Sequence, residues 1–379
     1  MDVLVLNKRG WEHPRSGGAE KNMYELFSRL AGRGHNITVL TSGYPGCKKE
    51  TTVDGMQMRR IGSGFSLPQP LDTLLAYFVV TAYFHYYQFT RNVDVVYYSH
   101  SPLPWLLLTP HPTVAIYHHI ALDSIFETHS FPFNYLGYLA YRIGIYLEKG
   151  STTICVSNST AEVLRAYGHD PSNIEIVRNG INIDKFDYKP LQNTSSEPKL
   201  LYLGGLDGYK GADRLPAIHE TVEQLRNEQV QLNIAGREGD KSDVVKQYCN
   251  NTQSAVFHGF VSEEKKIALL EDAWLLVVPS RVEGWGMVVI EANACGTPAV
   301  GADIGGLQES IRHNETGILS DASDISEFSR SISILLDSPD DIQKMGTNGR
   351  TWAEKHSWTE AADRVEKILT RVAGSTMTK

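Results

Sequence analysis

The sequence predicts an α/β protein built from two doubly wound, Rossmann-like domains. Three observations carry that prediction. Short apolar, strand-like runs alternate with stretches of helical periodicity along the whole chain. A strand, glycine-rich loop, helix order appears twice, first from Val3 and again from Lys199. Between the two, 188–198 (YKPLQNTSSEP) is polar, proline-bearing and without periodicity, as a linker is. A chain of 379 residues is also longer than one ordinary domain needs. The expected domains are 1–188 and 189–356, followed by a last helical segment at about 357–379.

Composition narrows the function classes. Hydrophobic residues make up 41% and charged residues 21%, which fits a soluble globular chain. A net charge of −8 argues against a general nucleic-acid binder. Cys47, Cys155, Cys249 and Cys295 stand far apart with no C-x-x-C pair, so neither a zinc site nor a disulfide framework is expected, and a reducing cytoplasm suits them. The start, Met1 to Leu6, reads as a first strand followed by Lys8 and Arg9 rather than as a signal peptide. The apolar segment Leu74 to Phe84 is too short to span a bilayer.

In the first half, Val3 to Leu6 is strand one. The loop Lys8 to Gly18 carries Gly10, Pro14, Gly17 and Gly18, and the helix Ala19 to Gly32 places Met23, Leu26, Phe27 and Leu30 at helical spacing. Gly17-Gly18 before a helix suits either a phosphate cradle or a simple tight turn. Further strands are expected at Ile37 to Thr41, Met56 to Ile61, Val93 to Tyr98, Thr113 to Tyr117, Thr152 to Val156 and Ile174 to Val177. Leu71 to Phe89 reads as a long apolar helix, and Ser157 to Thr160 as a helix cap. His118 and His119 stand at a strand's carboxyl end, where open α/β sheets bind ligands. The segment 131–147 is dense in Phe and Tyr, with Arg142 inside it and Lys149 just after. Core packing and contact with lipid are both open readings there.

In the second half, Lys199 to Leu203 is a strand, Gly204 to Gly211 a glycine-rich loop carrying Lys210, and Asp213 to Leu225 a helix. Strands at Val230 to Ile234 and Val256 to Phe260 follow, the first ending at Arg237, the second turning at Val261, with Ser262 capping the helix Glu263 to Asp272. Helices are expected at Ile325 to Leu336, Asp341 to Lys355 and Thr359 to Ala373.

The stretch that organises this half is 280–296. The apolar run Trp274 to Val278 reads as a buried strand closed by Pro279. A loop with Gly284 and Gly286 follows, and a helix starts at Met287. A helix N-terminus therefore points its unpaired amides and its positive dipole end into a loop whose glycines let a ligand approach. That suits an anion such as a diphosphate. Glu283 in the loop and Glu291 one turn into the helix flank it. Paired carboxylates beside a phosphate site suit gripping hydroxyls, because charge-assisted hydrogen bonds are strong.

This stretch closely resembles the donor-site motif of the retaining GT-B glycosyltransferases, family 4: a Glu, seven residues, a second Glu. The resemblance implies that Glu283 contacts the transferred sugar, Glu291 holds the ribose hydroxyls, and the amides of Gly286 to Val288 meet the diphosphate. Gly204 to Gly211 looks like the family's second phosphate loop, usually Gly-Arg then Lys-Gly. Lys210-Gly211 matches, while Gly205 stands where the arginine is usual, leaving Arg237, Arg281 or helix dipoles as substitutes. Gly17-Gly18 looks like the loop that approaches the donor phosphate, Arg178-Asn179-Gly180 resembles the family's Asn-Gly loop, and the family places a functional histidine where His118 stands, with His119 second. The match covers essentially the full chain. It implies two facing domains with a cleft between them and a C-terminal helix crossing back to the first.

The function implied is transfer of a sugar from a UDP- or GDP-linked donor to a glycan or lipid-linked acceptor with retention of configuration. No Asp-x-Asp pair is present to hold a metal, so metal independence is expected, with no cofactor beyond the nucleotide sugar as co-substrate. A non-catalytic nucleotide-sugar sensor on the same fold is the alternative. It would keep Glu291 and lose groups such as His118 or Glu283, and both are present. A Rossmann dehydrogenase expects Gly-x-Gly-x-x-Gly, which neither loop fits. The aromatic segment in the acceptor half adds an expectation of peripheral membrane contact, at the inner face of the membrane.

Overall fold

A computed structural model describes residues 1–62, 71–101, 108–120, 122, 133–190 and 197–374, with the backbone alone at 71–74 and 133. Parts of the expected linker (191–196) and aromatic segment (131–132), Pro102, and the last five residues lie outside the described residues. The chain divides into two compact units, Met1–Gly180 with Trp358–Lys379, and Ile181–Ser357.

The first unit is an eight-stranded sheet. Its strands are β1 (Asp2–Leu6), β2 (Asn36–Ser42), β3 (Glu50–Val53), β4 (Met56–Ile61), β5 (Val95–Ser99), β6 (Thr113–Tyr117), β7 (Thr152–Cys155) and β8 (Ile174–Ile176), in the order β3-β4-β2-β1-β5-β6-β7-β8. All neighbours run parallel except β3 and β4. The hairpin β3–β4, absent from the sequence expectation, turns through Asp54-Gly55 with φ of 46° and 80°, the residue pair such two-residue turns demand. The helices are α1 (Gly18–Gly32), α2 (Leu71–Thr90), α3 (Phe133–Leu147) and α4 (Asn158–Ala166), joined by the C-terminal helix Trp358–Gly374. That last helix belongs here through its apolar face, Ala362, Val365 and Leu369, all buried, and through Arg33, which pairs with Asp363 at 2.5 Å and Glu366 at 2.6 Å.

The second unit is a six-stranded parallel sheet of β9 (Lys199–Leu203), β10 (Gln231–Ala235), β11 (Ala255–Phe257), β12 (Leu275–Val278), β13 (Ala299–Ala302) and β14 (Gly317–Ser320), ordered β11-β10-β9-β12-β13-β14. Its helices are α5 (Leu215–Arg226), α6 (Ser242–Asn251), α7 (Glu263–Asp272), α8 (Met287–Cys295), α9 (Leu307–Ser310), α10 (Ile325–Leu336) and α11 (Pro339–Ala353). Strand β14 was not expected from the sequence. The units divide after Gly180 rather than at 188. The reason is local: Ile181 donates its amide to His356 at 2.8 Å, Phe186 is buried, and Lys189 donates to Cys295 at 3.0 Å, so 181–189 is fastened to the second sheet's helices.

Each sheet reverses its winding once, between β1 and β5 in the first unit and between β9 and β12 in the second. Ligands of open parallel sheets sit beyond the carboxyl ends of the strands at such a switch point. In the second unit the loops there are those carrying Lys210 and Glu283. In the first they carry Gly17 and His100.

Candidate active site

The second unit's switch point is built from backbone first. The loop after β12 is laced to the loop after β9 by Arg281 donating its amide to Tyr209 at 2.8 Å, and is backed by Gly306 donating to the Glu283 carbonyl at 3.0 Å. Helix α8 then begins at Gly286, which holds φ of 79° and leaves the helix N-terminus with no side-chain cap. The positive φ favours glycine, and a Cβ at Gly286 would also press on Leu307 Cδ2 at 2.9 Å and Ser310 Oγ at 3.0 Å. Gly284 and Gly286 are buried, and Met287 and Val288 half-buried.

Charged side chains close around this helix end in pairs. Lys210 Nζ lies 2.6 Å from Glu283 Oε2. Burial alone would lower the Lys210 ammonium, but the Glu283 carboxylate outweighs it and holds the pKa above its ordinary value. Glu291, only 6% exposed, meets Lys266 of α7 at 2.9 Å, and that ammonium also sits 5.9 Å from the Phe186 ring centre. Lys266 was not singled out from the sequence. It lies 25 residues from Glu291, and no local pattern links them. Arg281 is spent within the protein: it forks onto Asp213 at 2.7 and 2.8 Å and also donates to the Gly208 carbonyl. Val261 is half-buried just beyond β11, which ends at Phe257, three residues earlier than expected.

The first unit's candidates are less alike. Gly17, exposed and extended with φ of −148°, donates its amide to the Glu20 carboxylate at 2.8 Å, so α1 caps itself; Gly18 is exposed beside it. Asn179 is buried, and its side-chain oxygen accepts from Asn22 at 2.7 Å. His118 is half-buried at the end of β6, and the surrounding protein, with neighbouring His119, pushes its pKa down to about 3. It is thus a neutral imidazole at physiological pH. His119 is exposed. The structure adds a group the sequence reading passed over. The His100 side chain is 2% exposed, its Nδ1 2.9 Å from Glu148 Oε2, while the Tyr117 hydroxyl donates to that same oxygen at 2.5 Å. The His100 ring stacks on Tyr117 with centroids 4.1 Å apart, and its buried Nε2 has no hydrogen-bond partner among the described residues. Its position after β5, at the switch point, was the available signal. A cavity of about 380 Å³ lined by Lys49, Glu50, Arg59 and Tyr83 contains none of the expected site residues.

Comparison with known proteins now adds a family. Residues 184–352 match the family model described as glycosyl transferases group 1, and residues 16–185 match glycosyltransferase family 4. The chain belongs to glycosyltransferase family 4. It is 29% identical over 234 residues to a D-inositol 3-phosphate glycosyltransferase of Gordonia bronchialis, covering 57% of this chain and 51% of that protein. The chain spans about half the length of the curated relatives it matches first. In structure it is similar to sucrose-phosphate synthase of Thermosynechococcus elongatus, with a TM-score of 0.81, 21% identity and coverage of 99% and 100%. It is also similar to HepE of Anabaena in complex with UDP-glucose, with a TM-score of 0.72, 16% identity and coverage of 98% and 100%. The two Rossmann-like units are those of the GT-B fold.

Proposed function

We propose that this family 4 protein is a retaining, metal-independent glycosyltransferase that moves a sugar from a UDP- or GDP-linked donor to a glycan or lipid-linked acceptor. The observation that carries the reading is the uncapped N-terminus of α8, flanked by the pairs Lys210–Glu283 and Lys266–Glu291 at a topological switch point. In the free protein each carboxylate is held by a lysine. A nucleotide sugar offers each partner a replacement: diphosphate oxygens for Lys210, sugar hydroxyls for Glu283 and ribose hydroxyls for Glu291.

The chemistry is electrostatic. As the bond from the anomeric carbon to the diphosphate oxygen breaks, its electron pair passes to the diphosphate. There the Lys210 ammonium and the amides of Gly286, Met287 and Val288 stabilise the growing charge. The acceptor hydroxyl bonds to the same face of the anomeric carbon and gives its proton to the departing diphosphate. No side chain is assigned as a nucleophile, and no cofactor takes part. The first unit's share rests on the family resemblance: His118, with His119 second, beside the sugar or acceptor, Asn179 nearby, and Gly17-Gly18 toward the donor phosphate once Glu20 yields the Gly17 amide. A nucleotide-sugar sensor remains the alternative, and the presence of both His118 and Glu283 favours the enzyme.

A lipid-linked acceptor is favoured by one surface. On α3, Tyr135, Leu136, Leu139, Ile143, Tyr146 and Leu147 are 45–68% exposed, while Tyr141 and Ile145 are buried. Arg142 lies over the Tyr138 and Tyr167 rings and Lys149 over Tyr146. An exposed aromatic and aliphatic stripe edged by cations suits the face of an anionic membrane. Among the described residues no helix is long and apolar enough to cross one.

Incubating the protein with a panel of nucleotide sugars, with and without EDTA, tests the reading. Donor turnover that survives EDTA, with an anomerically retained product by NMR, is expected. A panel that neither binds nor turns over would refute it. For the membrane face, flotation with anionic liposomes should carry the protein upward, and Arg142→Glu with Lys149→Glu should leave it below.

A further inference from the structure

A diphosphate at the head of α8 carries at least two negative charges, and Lys210 enters that site already neutralised by Glu283. More positive charge is needed. Three arginines of the second unit approach these loops. Arg281 is committed to Asp213 as a bidentate fork, and Arg214 donates to the Pro279 carbonyl at 3.0 Å, both holding loops together. The third is Arg237, at the carboxyl end of β10 and 34% exposed at its side chain.

Backbone register aims Arg237 at the phosphate loop. The pairing of β9 with β10 continues past both strands: Gly204 donates to Ala235 at 3.1 Å and Leu206 to Arg237 at 2.9 Å. Between these bonds Gly236 takes φ of 156°, and a Cβ there would lie 1.7 Å from the Gly204 carbonyl oxygen, so only glycine lets the two chains pass. The first side chain to emerge is therefore Arg237, whose Nε stands 3.7 Å from where a Cβ on Gly205 would be. A side chain at position 205 would have to displace the Asp207 carboxylate, since that Cβ would meet Asp207 Oδ2 at 2.5 Å. Asp207 lies 3.9 Å from the Arg237 guanidinium, an outer-limit ion pair, and burial pushes its carboxyl up against the pull of Arg237. Tyr202 fixes the loop by donating its hydroxyl to the Gly205 carbonyl at 2.8 Å.

We propose that Arg237 is the second diphosphate-binding cation, delivering from β10 the guanidinium that position 205 on the β9 loop does not carry. Asp207 is its counter-ion in the free protein and is exchanged for phosphate oxygens when the nucleotide binds. Two planar N–H groups and a charge that never titrates suit a diphosphate better than a second lysine would. The inference rests on the donor reading above and deepens it.

Titration calorimetry with UDP, UMP and uridine, and with GDP, GMP and guanosine, separates phosphate recognition from base and ribose recognition. Arg237→Gln is expected to weaken the diphosphate by about 10- to 100-fold, the range for a lost charged hydrogen bond, and to leave the nucleoside within about 2-fold. Arg237→Lys should recover part of the loss, which a purely structural arginine would not do selectively for the diphosphate. Equal diphosphate-to-nucleoside preference in wild type and Arg237→Gln overturns the assignment, provided Lys210→Ala still loses diphosphate affinity. If the wild type binds no nucleoside diphosphate at all, the donor reading falls and this proposal with it. Should Arg237→Gln fail to fold, the same ratio measured in Arg237→Lys decides, because wild-type preference there rules out a forked guanidinium contact.

Discussion

The glycine-bearing turns that open α1 and α8 end differently. Gly17 precedes α1 with an extended backbone, and Glu20 reaches back to its amide at 2.8 Å. Gly286 precedes α8 with φ of 79°, and no side chain caps that helix. A glycine-rich loop before a helix is thus an ambiguous signal. What separates a self-satisfied turn from an open anion site is a carboxylate three residues into the helix, which accepts the very N–H that a phosphate would use. The contrast extends to the side chains. Around α8 charges stand in interlocked pairs, whereas at the end of β6 burial keeps His118 neutral.

The largest expected effect concerns the charged unit. Glu283→Ala removes the group proposed to act at the transferred sugar and should lower kcat by about 100- to 1000-fold without weakening affinity for the free nucleoside diphosphate. Glu291→Ala should instead weaken the free nucleotide, about 10-fold or more, and leave Lys266 half-buried without its main partner. Steady-state rates on any turned-over donor, set beside calorimetry with the matching nucleoside diphosphate, read the two apart. Identical profiles for the two variants would dissolve the division of labour.

Next comes the backbone itself. Gly286→Ala must force a positive φ on alanine and push Leu307 aside. A cost of about 2–4 kcal/mol is expected, together with loss of nucleotide binding. Gly17→Ala meets nothing nearer than Glu20 Oε2 at 3.7 Å and should stay within about 1 kcal/mol of wild type. Urea denaturation of both variants checks the pair. Equal losses would mean that α8 and α1 begin under the same constraint after all.

Why one turn was legible and the other not follows from where the deciding atoms lie. Pro279, Gly284, Gly286, Glu283 and Glu291 fall within 13 residues, so strand end, loop and helix start could all be read locally. The alternation of strands and helices was equally local, except where short elements carried weak patterns, as in β3 and β14. The partners that set the site's charge state are not local. Lys266 reaches Glu291, Lys210 reaches Glu283 across 73 residues, and His100 reaches Glu148 across 48. Sequence periodicity holds no information on such pairings. The Gly205 departure was visible in sequence, but which arginine lies over it depends on how β9 and β10 align beyond their ends.

Smaller effects are expected on the neutral side. His118→Ala should lower kcat by about 10- to 100-fold, and His119→Ala by less. Because the folded-state pKa of His118 lies near 3, below that of an unfolded histidine, protons bind the unfolded chain more readily. Its contribution to stability is therefore lost as pH falls from about 6.5 toward 3 and is complete above that window. His118→Gln should flatten that part of the acid-denaturation curve, and kcat should show no titration assignable to His118 between pH 5 and 8. The reverse ranking of the two alanine variants would shift the role to His119.

The smallest effect bears most directly on the contrast between the turns. Glu20 occupies the Gly17 amide, so it opposes the binding of a phosphate at Gly17-Gly18. Glu20→Gln keeps the length and a weaker acceptor while removing a full negative charge from the head of α1. The cap should lose about 0.5–1 kcal/mol of helix stability. If α1 does turn toward the donor phosphate, removing that charge should also tighten nucleoside diphosphate binding, by about 2- to 5-fold at low salt, and the gain should shrink as salt screens it. The nucleoside, with no phosphate, should bind as before and serves as the internal reference. Unchanged diphosphate affinity at low salt would confine the anion site to the second unit, with Lys210 and the α8 amides holding the phosphates and Gly17-Gly18 serving only to start a helix.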